Sequence, residues 1–346
     1  MTNATEAILV ADKTNLGAIT ADDVARLAGV SRWTVNRAFK KDASISQTSL
    51  DKVMAASDQL GYVPDLLAAS LATNKSNLVS LLVDDFSNPH KLIMMERLTR
   101  ILRKNGWDTL LVNTNNEEDA SAALLNARQR RVDAAVLIGI SFNDHALSAA
   151  HSAQRVNKLI VFARTSENPD TISICCDDQI AMTTITNYVI EKGYKRPLFL
   201  AGPQTISAHL GRKETFSRLW EAQFNVTPDF ISVPIYDPVR AYERTKEYLE
   251  DLPIEMRPDV IVCENDALAM GAINAIRYAV GLRVPQDIAV TGFDDIPQAS
   301  GPEYRLTSYR QPITAMAEAL VTILKGDDTG ETLDKFVGTL ISRESA

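Results

Sequence analysis

Hydrophobic and polar positions follow two different patterns along the chain, and the change comes near residue 76. Before it, apolar side chains recur every three or four residues over short stretches, which predicts amphipathic helices. After it, continuous apolar runs alternate with longer helical patterns, which predicts buried parallel strands joined by helices. The chain therefore combines a small helical part with a larger α/β part.

Three helices are predicted between residues 20 and 62. Thr20, Ser31 and Ser46 stand where helix N-caps are expected, and Gly29 and Gly61 end the first and third helices. The first two helices are so close in sequence that they must cross tightly, as in a helix-turn-helix. The side chains expected to face inward are Val24, Ala25, Leu27, Ala28, Val35, Ala38, Leu50, Val53, Met54 and Leu60.

The α/β part carries about seven or eight strand and helix units, which fit two sheets better than one. Strands are predicted at 78–83, 109–112, 134–140, 159–162, 198–201, 260–263 and 288–292, with another near 231–235 and a last one at 336–341. The predicted fold class is a small all-α helix-turn-helix headpiece followed by an α/β domain of two parallel-sheet subdomains.

Composition excludes several classes of protein. At 346 residues the chain is long enough for two or three domains, and 15 Gly and 14 Pro leave no fibrous or disordered majority. Neither a secretion signal nor an apolar run of membrane-spanning length occurs. Cys175, Cys176 and Cys263 match no zinc or disulfide spacing and are expected to be small buried hydrophobes. We therefore expect a cytoplasmic protein without a membrane partner.

The distribution of charge is more informative than its total of −8. Residues 1–75 hold eight Lys and Arg against eight Asp and Glu, so the remainder carries the whole excess of acid. Within residues 31–41 there are four basic residues and no acid. Such a local positive charge is typical of a small element that contacts nucleic acid, although a solvated helix face also explains it.

The run from Ile19 to Lys41, ITADDVARLAGVSRWTVNRAFKK, resembles the N-terminal headpiece of the LacI/GalR (lactose repressor) family of transcription regulators. The segment GYVPDLLAASL that follows resembles the hinge of that family. Residues 1–19 lack periodicity, which predicts a flexible lead. The resemblance implies a DNA-binding domain at 20–62, a hinge helix or linker at 63–76, and a ligand-binding and dimerisation domain at 77–346. Its N-subdomain would comprise about 77–174 and 310–328, and its C-subdomain about 175–308 and 329–346.

The resemblance also implies which residues contact DNA. Arg32 and Trp33 occupy base-reading positions, and arginine suits this task because it can donate two hydrogen bonds to guanine. A packing role for Trp33 remains open. Leu71 matches a leucine that wedges into the minor groove, whereas the alternative is a plain interdomain linker. The full predicted DNA-binding set is Ser31, Arg32, Trp33, Thr34, Asn36, Arg37, Lys40 and Leu71.

Polar residues directly after the predicted strands are the candidates for ligand binding, because ligands of parallel sheets bind outside the carboxyl ends of strands. The motifs DFSNP at 85–89, NDALAMG at 265–271 and GFDD at 292–295 resemble those of sugar-binding domains with a periplasmic-binding-protein fold. Asp266 and Asp295 have an alternative role as helix caps. The predicted effector-binding set is Asp85, His90, Arg164, Arg212, Tyr236, Asn265 and Asp294.

These observations predict a homodimeric DNA-binding regulator, most often a repressor in this family, controlled by a small effector such as a sugar or a sugar derivative. The two-fold symmetry of a dimer predicts a palindromic DNA operator. No nucleotide-binding or hydrolase motif occurs, so we expect no cofactor, no metal and no catalytic residue. Two alternatives stay open: a sugar-binding protein without a DNA function, and an α/β enzyme that uses Asp84 with Asp85, or Asp294 with Asp295, on a sugar.

Overall fold

The structure, a computed structural model, forms two compact units that divide after residue 74. It describes residues 19–40, 44–65, 75–114, 117–139, 158–166, 168–203, 210–326 and 336–346. The lead up to residue 18, Lys41 and Leu71 lie outside the described residues, so what the sequence predicts for them stays a prediction.

Three helices form the first unit: α1 (Ala21–Ala28), α2 (Arg32–Ala38) and α3 (Gln47–Leu60). Each begins at the predicted cap, because the side chains of Thr20, Ser31 and Ser46 accept hydrogen bonds from backbone N–H groups of the first turn. Gly29 follows α1 with φ of 66°, a left-handed conformation that favours glycine. The predicted helix-turn-helix is therefore confirmed.

The core of this unit is a narrow stripe on each helix. Val24, Val35 and Val53 are fully buried, one from each helix. Leu27 and Met54 were expected to face inward, but they are 46% and 39% exposed, so that prediction is wrong. Three short helices enclose only one row of side chains each, and apolar residues on the flanks of that row remain at the surface.

The second unit alternates strands and helices along its whole length. In chain order it contains β1 (Leu78–Val83), α4 (Pro89–Lys104), β2 (Asp108–Asn113), α5 (Glu117–Gln129), β3 (Ala134–Ile138), β4 (Leu159–Phe162), β5 (Thr171–Ile174), α6 (Asp178–Glu191), β6 (Pro197–Ala201), α7 (Arg212–Phe224), β7 (Asp229–Ser232), α8 (Pro238–Glu250), β8 (Val260–Cys263), α9 (Asp266–Asn274), β9 (Ala289–Phe293), β10 (Thr307–Arg310), α10 (Ile313–Lys325) and β11 (Thr339–Ile341).

These strands form two sheets, as predicted. The first has the order β2-β1-β3-β4-β5 and the second β11-β10-β9-β8-β6-β7. All pairs are parallel except β10 with β11, which run antiparallel at one edge. The strands β5 and β10 were not predicted, because threonine and serine interrupt their apolar runs. Each sheet is the centre of one subdomain.

The chain passes between the two subdomains more than once. It leaves the first sheet after β5 and enters α6, whose buried face packs in the core of the second sheet with Phe199. It leaves the second sheet after β10, and Met316 and Leu320 of α10 then pack with Leu98 in the core of the first. These connections hold the carboxyl ends of both sets of strands on either side of a cleft.

The three cysteines lie in these cores, as the sequence predicts. Cys175, Cys176 and Cys263 are buried and form no disulfide. Burial raises the pKa of the Cys176 thiol to about 12 and that of Cys263 well above its usual value. Cys176 and Cys263 therefore act as small hydrophobes and not as reactive thiols, and Cys175 is buried beside Cys176.

Candidate functional site

Side chains from both subdomains meet in a cleft. Small-molecule sites in proteins occur preferentially at such boundaries between domains. Six of the seven residues that the sequence nominates for ligand binding line this cleft, namely His90, Arg164, Arg212, Tyr236, Asn265 and Asp294. Residues separated by up to 204 positions in the sequence, from 90 to 294, are thus brought together.

Asp85 is the seventh, and the structure places it outside the cleft lining. Its Oδ1 accepts hydrogen bonds from the backbone N–H of Ser87 at 2.9 Å and from the Ser87 hydroxyl at 2.5 Å. The carboxylate therefore closes the turn between β1 and α4. This turn directs the following residues, Asn88 to Lys91, to the cleft.

Arg212 is the most constrained cation of the cleft. It is the first residue of α7 and is only 4% exposed. Its Nε donates to Asp178 Oδ1 at 2.9 Å, and Nη1 donates to the carbonyl oxygen of Glu264 at 2.8 Å. The guanidinium also stacks on Phe293, 3.5 Å from the ring centroid. These contacts leave Nη2 without a hydrogen-bond partner among the described residues.

The electrostatic setting keeps Arg212 charged. Burial alone would lower the pKa of its guanidinium, but the carboxylates of Asp178 and Asp294 raise it above the usual value. A buried, charged and oriented guanidinium is a strong hydrogen-bond donor for hydroxyl or anionic oxygens of a ligand.

A second arginine makes a hydrogen bond across the cleft. Arg164, which follows β4, donates from Nη2 to the Tyr236 hydroxyl at 3.0 Å, and Tyr236 donates to Glu264 Oε2 at 3.3 Å. Burial raises the pKa of Tyr236 and also that of Glu264. Gly202 donates its N–H to the same Glu264 oxygen, and a side chain there would collide with the tyrosine ring. Arg164 belongs to the first subdomain and the other residues to the second.

His90, Gln311 and Asp294 form a buried network on the other side of the cleft. Gln311 Nε2 donates to Asp294 Oδ1 at 2.7 Å and lies 3.2 Å from His90 Nε2. Burial lowers the pKa of His90, and Arg212 and Lys91 act in the same direction, while Asp294 opposes them. The imidazole is therefore held in its neutral form at physiological pH.

The backbone is strained where two of these residues leave their strands. Asp294 and Asp295 have φ of 113° and 52° directly after β9, and Ala163 has φ of 63° before Arg164. Side chains other than glycine rarely occupy this region, and where it persists the surroundings enforce it, often at functional sites. The strain places Asp294 and Arg164 at the cleft.

The alternative role of Asp266 and Asp295 as helix caps is wrong. The cap of α9 is Asn265, whose Oδ1 accepts from the backbone N–H of Leu268 at 3.0 Å. Asp266 is fully buried and accepts from Ser308 and from the backbone of Ile296. Ion pairs join Asp295 to Arg310 and to Arg343. Both carboxylates therefore stabilise the second subdomain.

Sequence reasoning missed two polar residues that line the cleft, Gln311 and Lys91, and a third, Glu264, that accepts from Tyr236 beside it. Gln311 follows β10, a strand that was not predicted. Lys91 is 6% exposed and forms a buried ion pair with Asp84, although charged residues on an amphipathic helix usually face solvent. Glu264 comes directly after β8, where the rule for polar residues at strand ends points to it, although the predicted set contains its neighbour Asn265 and not Glu264.

The first unit presents a polar face on α2. Ser31, Arg32, Trp33, Asn36 and Lys40 are exposed, while Thr34 and Arg37 are half-buried. Within this helix Val35 is fully buried, and Ala38 packs beside it against the core. The exposed polar and aromatic side chains of the helix and its flanks are therefore available for contacts outside the unit.

Two of these side chains are already oriented. The Arg37 guanidinium carbon lies 4.4 Å from the centroid of the Trp33 ring, and Trp33 is 64% exposed. Arg37 Nε is buried without a hydrogen-bond partner among the described residues. Arg32 Nη1 donates to Asp22 Oδ2 of α1 at 3.1 Å. The tryptophan thus covers one arginine, and an acid of the neighbouring helix holds the other.

The described residues contain no group of three or more His, Cys, Asp or Glu side chains arranged to hold a metal ion. None of their helices combines the length and the hydropathy that a membrane crossing requires.

Comparison with protein families places this architecture. Residues 20–65 match the family described as bacterial regulatory proteins, lacI family. Residues 76–315 match periplasmic binding proteins and sugar binding domain of LacI family. The chain belongs to the LacI family. The resemblance found in the sequence is thereby confirmed, and the protein is a DNA-binding transcription regulator with an effector-binding domain.

Curated relatives of this LacI-family chain cover nearly its whole length. The ribose operon repressor of Escherichia coli (strain K12) is 28% identical over 319 residues, which are 91% of this chain and 95% of the relative. The HTH-type transcriptional repressor PurR of Proteus mirabilis (strain HI4320) is 27% identical over 307 residues, 88% of this chain and 89% of that protein.

Solved structures share the fold of this LacI-family chain. The lac repressor dimer bound to operator and the anti-inducer ONPF superposes with a TM-score of 0.82 at 22% identity, covering 95% of this chain and 99% of that one. The complex of the transcriptional regulator CelR with cellobiose gives a TM-score of 0.67 at 24% identity, covering 95% of this chain and 100% of that one.

Proposed function

We propose that this LacI-family regulator is a homodimeric repressor whose affinity for a palindromic operator depends on a sugar or sugar derivative bound between its two subdomains. The DNA-binding domain would be 20–62, the hinge 63–76 and the ligand-binding and dimerisation domain 77–346, with the subdomain limits given above. The observation that carries the proposal is the convergence of Arg164, Arg212 and Asp294 on one cleft.

The chemistry of the cleft suits a polyhydroxylated ligand. Arg212 has a free Nη2 among its described contacts, and Asp294 supplies carboxylate oxygens close by. Donor and acceptor side by side match adjacent hydroxyl groups, each of which both donates and accepts. Two similar proteins, a ribose operon repressor and a regulator whose structure contains cellobiose, support a sugar. Tyr236 supplies an aromatic ring to the cleft wall.

The DNA-binding role is assigned to the polar face of α2. Arg32 and Trp33 are exposed at its beginning, where the family reads base edges, and Arg37 follows one turn later for a base or a phosphate. Ser31, Thr34, Asn36 and Lys40 suit phosphate oxygens. Arg32 must break its ion pair with Asp22 to contact DNA. This costs little free energy because both side chains are more than half exposed.

Leu71 completes the proposed interface through the hinge. Two hinge segments of a dimer would pair in the minor groove, and each leucine would wedge into a base step. A segment this short is not stable as an isolated helix, so DNA itself would order it. A modest change in the effector domain then suffices to release it.

The coupling mechanism is a shift between two conformations. A ligand that contacts both subdomains stabilises one relative arrangement of them, which alters the separation of the two hinges in the dimer. The change in operator affinity cannot exceed the difference in ligand affinity between the two conformations. Working on chromosomal DNA, the protein would act in the cytoplasm.

The carboxylates in and near the cleft favour a regulator over an enzyme. Asp84 is paired with Lys91, Asp295 with Arg310, and Asp294 with Gln311. Neither pair that the sequence offered for acid and base catalysis therefore has two free carboxylates. Conversion of a bound sugar by the purified protein would contradict this proposal.

Selection of bound duplexes tests the function directly. The purified full chain is incubated with a random DNA pool at physiological salt, alone and with mixtures of candidate sugars. We expect enrichment of a palindrome that one mixture abolishes. Failure to enrich any duplex under every condition would contradict the DNA-binding role and favour a sugar-binding protein without one.

A further inference from the structure

The contacts between Gln311 and Asp294 fix the orientation of the glutamine amide. Gln311 Nε2 lies 2.7 Å from Asp294 Oδ1. A rotated amide would set its oxygen against the carboxylate, so that two acceptors faced each other without a proton between them. The amide nitrogen therefore faces Asp294, and the amide oxygen Oε1 points away from it.

The same amide fixes the tautomer of His90. Its Nε2 lies 3.2 Å from Gln311 Nε2, and an amide NH₂ group can only donate. His90 Nε2 must therefore accept and carries no proton. A neutral imidazole holds one proton, which then resides on Nδ1. The alternative tautomer would place two donors against each other in a buried site, and its Nε2–H would face Asp294 Oδ1 only at 3.6 Å, which is too long for a hydrogen bond.

This arrangement leaves one donor and one acceptor unused. His90 Nδ1 and Gln311 Oε1 are buried and have no hydrogen-bond partner among the described residues. Both side chains line the cleft and are only 4% and 6% exposed. Buried polar atoms are almost always paired, and leaving them unpaired is costly. A ligand in the cleft can satisfy both.

We propose that His90 and Gln311 form a hydroxyl-reading pair, in which His90 Nδ1–H donates to a hydroxyl oxygen of the effector and Gln311 Oε1 accepts a hydroxyl proton from it. Hydroxyl groups satisfy both atoms, because each hydroxyl can donate and accept. This assignment rests on the proposed function, in which the cleft binds a polyhydroxylated effector. A carboxylate fails because it cannot donate to Oε1, and an ammonium group fails because it cannot accept from Nδ1–H.

The pair therefore acts as a specificity determinant. A deoxy derivative that lacks the hydroxyl leaves both buried atoms unpaired, which weakens binding by about 10- to 100-fold. An O-methyl derivative can still accept but no longer donates. The requirement for a hydroxyl at this position supplements the specificity that contacts with Arg212 and Asp294 provide.

The first experiment needs no ligand. Long-range ¹H–¹⁵N correlation spectra of the ¹⁵N-labelled full chain at pH 7.5 distinguish the two imidazole tautomers, and the His90→Gln variant assigns the signals. We expect His90 Nδ1 to be the protonated nitrogen and Nε2 the bare one. A proton on Nε2, or on both nitrogens, would overturn the proposal.

The second experiment measures discrimination. The probes are D-ribose, D-xylose, D-glucose, D-galactose, cellobiose and, as a ligand without hydroxyls, hypoxanthine, titrated into the full chain by calorimetry. The sugar that binds is then compared with its monodeoxy derivatives. In the wild type one derivative is expected to bind about 10- to 100-fold more weakly, and in Gln311→Met the same ratio falls to about threefold or less.

A matched pair of variants distinguishes the loss of the hydrogen-bond donor at Nδ1 from a change in side-chain packing. The amide of an asparagine lies close to the position of Nδ1, and that of a glutamine close to Nε2. His90→Asn should therefore keep most of the discrimination, whereas His90→Gln should lose it. Gln286→Met, at an exposed position outside the cleft, should leave the ratio unchanged.

The outcomes separate this inference from the proposed function. Equal affinity for parent and every deoxy sugar, or tighter binding of hypoxanthine than of any sugar, would overturn the reading pair while leaving an effector-controlled regulator intact. Absence of binding by every sugar would contradict the sugar assignment and the reading pair together. Failure of the full chain to select an operator from the DNA pool would contradict the DNA-binding role alone.

Discussion

His90 shows how one buried side chain links the cleft to solution conditions. In the unfolded chain a histidine titrates near pH 6.5, whereas in the fold burial lowers the pKa of His90, with Arg212 and Lys91 adding to the effect and Asp294 opposing it. As the pH falls below about 6.5, the unfolded chain takes up a proton that the folded chain refuses. The free energy of unfolding must therefore fall.

We expect this loss to be smaller in His90→Asn. Urea unfolding of the wild type and the variant at pH 7.5 and at pH 5.5 provides the measurement. The change in the free energy of unfolding between the two pH values is compared for the two proteins, which separates the contribution of His90 from that of the other titrating groups. An identical change with pH in both proteins would show that His90 does not carry this dependence.

Trp33 and Arg37 give a second prediction at the scale of residues. The tryptophan ring covers the guanidinium, and such contacts contribute about 0.5–1 kcal/mol at exposed sites. If the ring orients Arg37 for DNA, Trp33→Leu and Arg37→Ala should weaken operator binding non-additively. Fluorescence anisotropy with the selected operator measures the two single variants and the double variant. Strict additivity would show that each residue contacts DNA independently.

At the scale of elements, the caps decide where the headpiece helices begin. Ser46 accepts a hydrogen bond from the backbone N–H of Ser49 at the start of α3. Ser46→Ala should lower the stability of the first unit by about 1 kcal/mol. Thermal unfolding followed by circular dichroism measures it, with the exposed Gln47→Ala as the control. DNA affinity at low temperature should change little in either variant.

The hinge is the element on which DNA specificity depends. Leu71→Ala should weaken binding to the selected operator more than binding to non-specific DNA, because a wedge acts only where the duplex is kinked. Parallel titrations with both duplexes at one salt concentration measure the two affinities. Equal losses on the two duplexes would reject the wedge.

At the scale of the whole molecule, Arg212 tests whether ligand and DNA sites communicate. Arg212→Lys keeps the charge but loses the planar fork, so the operator complex should no longer respond to the effector while ligand-free DNA affinity stays close to wild type, if the effector is an inducer. Anisotropy with and without effector measures both quantities. Arg240→Ala, an exposed arginine on α8, is the control.

Arg212→Ala provides the stronger version of this test. The variant removes the partner of Asp178 and uncovers Phe293, so it should also lower stability. A folded Arg212→Ala that still responds fully to the effector would exclude Arg212 from ligand binding. Loss of the folded state would show that its role is structural.

The sequence alone determined the helical unit and the alternation of strands and helices. Caps at Thr20, Ser31 and Ser46 act within four residues, and apolar periodicity reports burial locally, so both can be read without the fold. It also nominated most of the cleft, because polar residues at the ends of parallel strands must meet at one edge of a sheet.

Tertiary structure decided what each of these polar residues does. Only packing brings Gln311 within hydrogen-bond distance of His90, 221 positions away, and only that contact sets the tautomer of the imidazole. Packing likewise removed Asp85 from the cleft and buried Asp266 and Asp295 in structural contacts. The physical reason is that hydrogen bonding depends on distance and direction in space, which local sequence patterns specify only for neighbours along the chain.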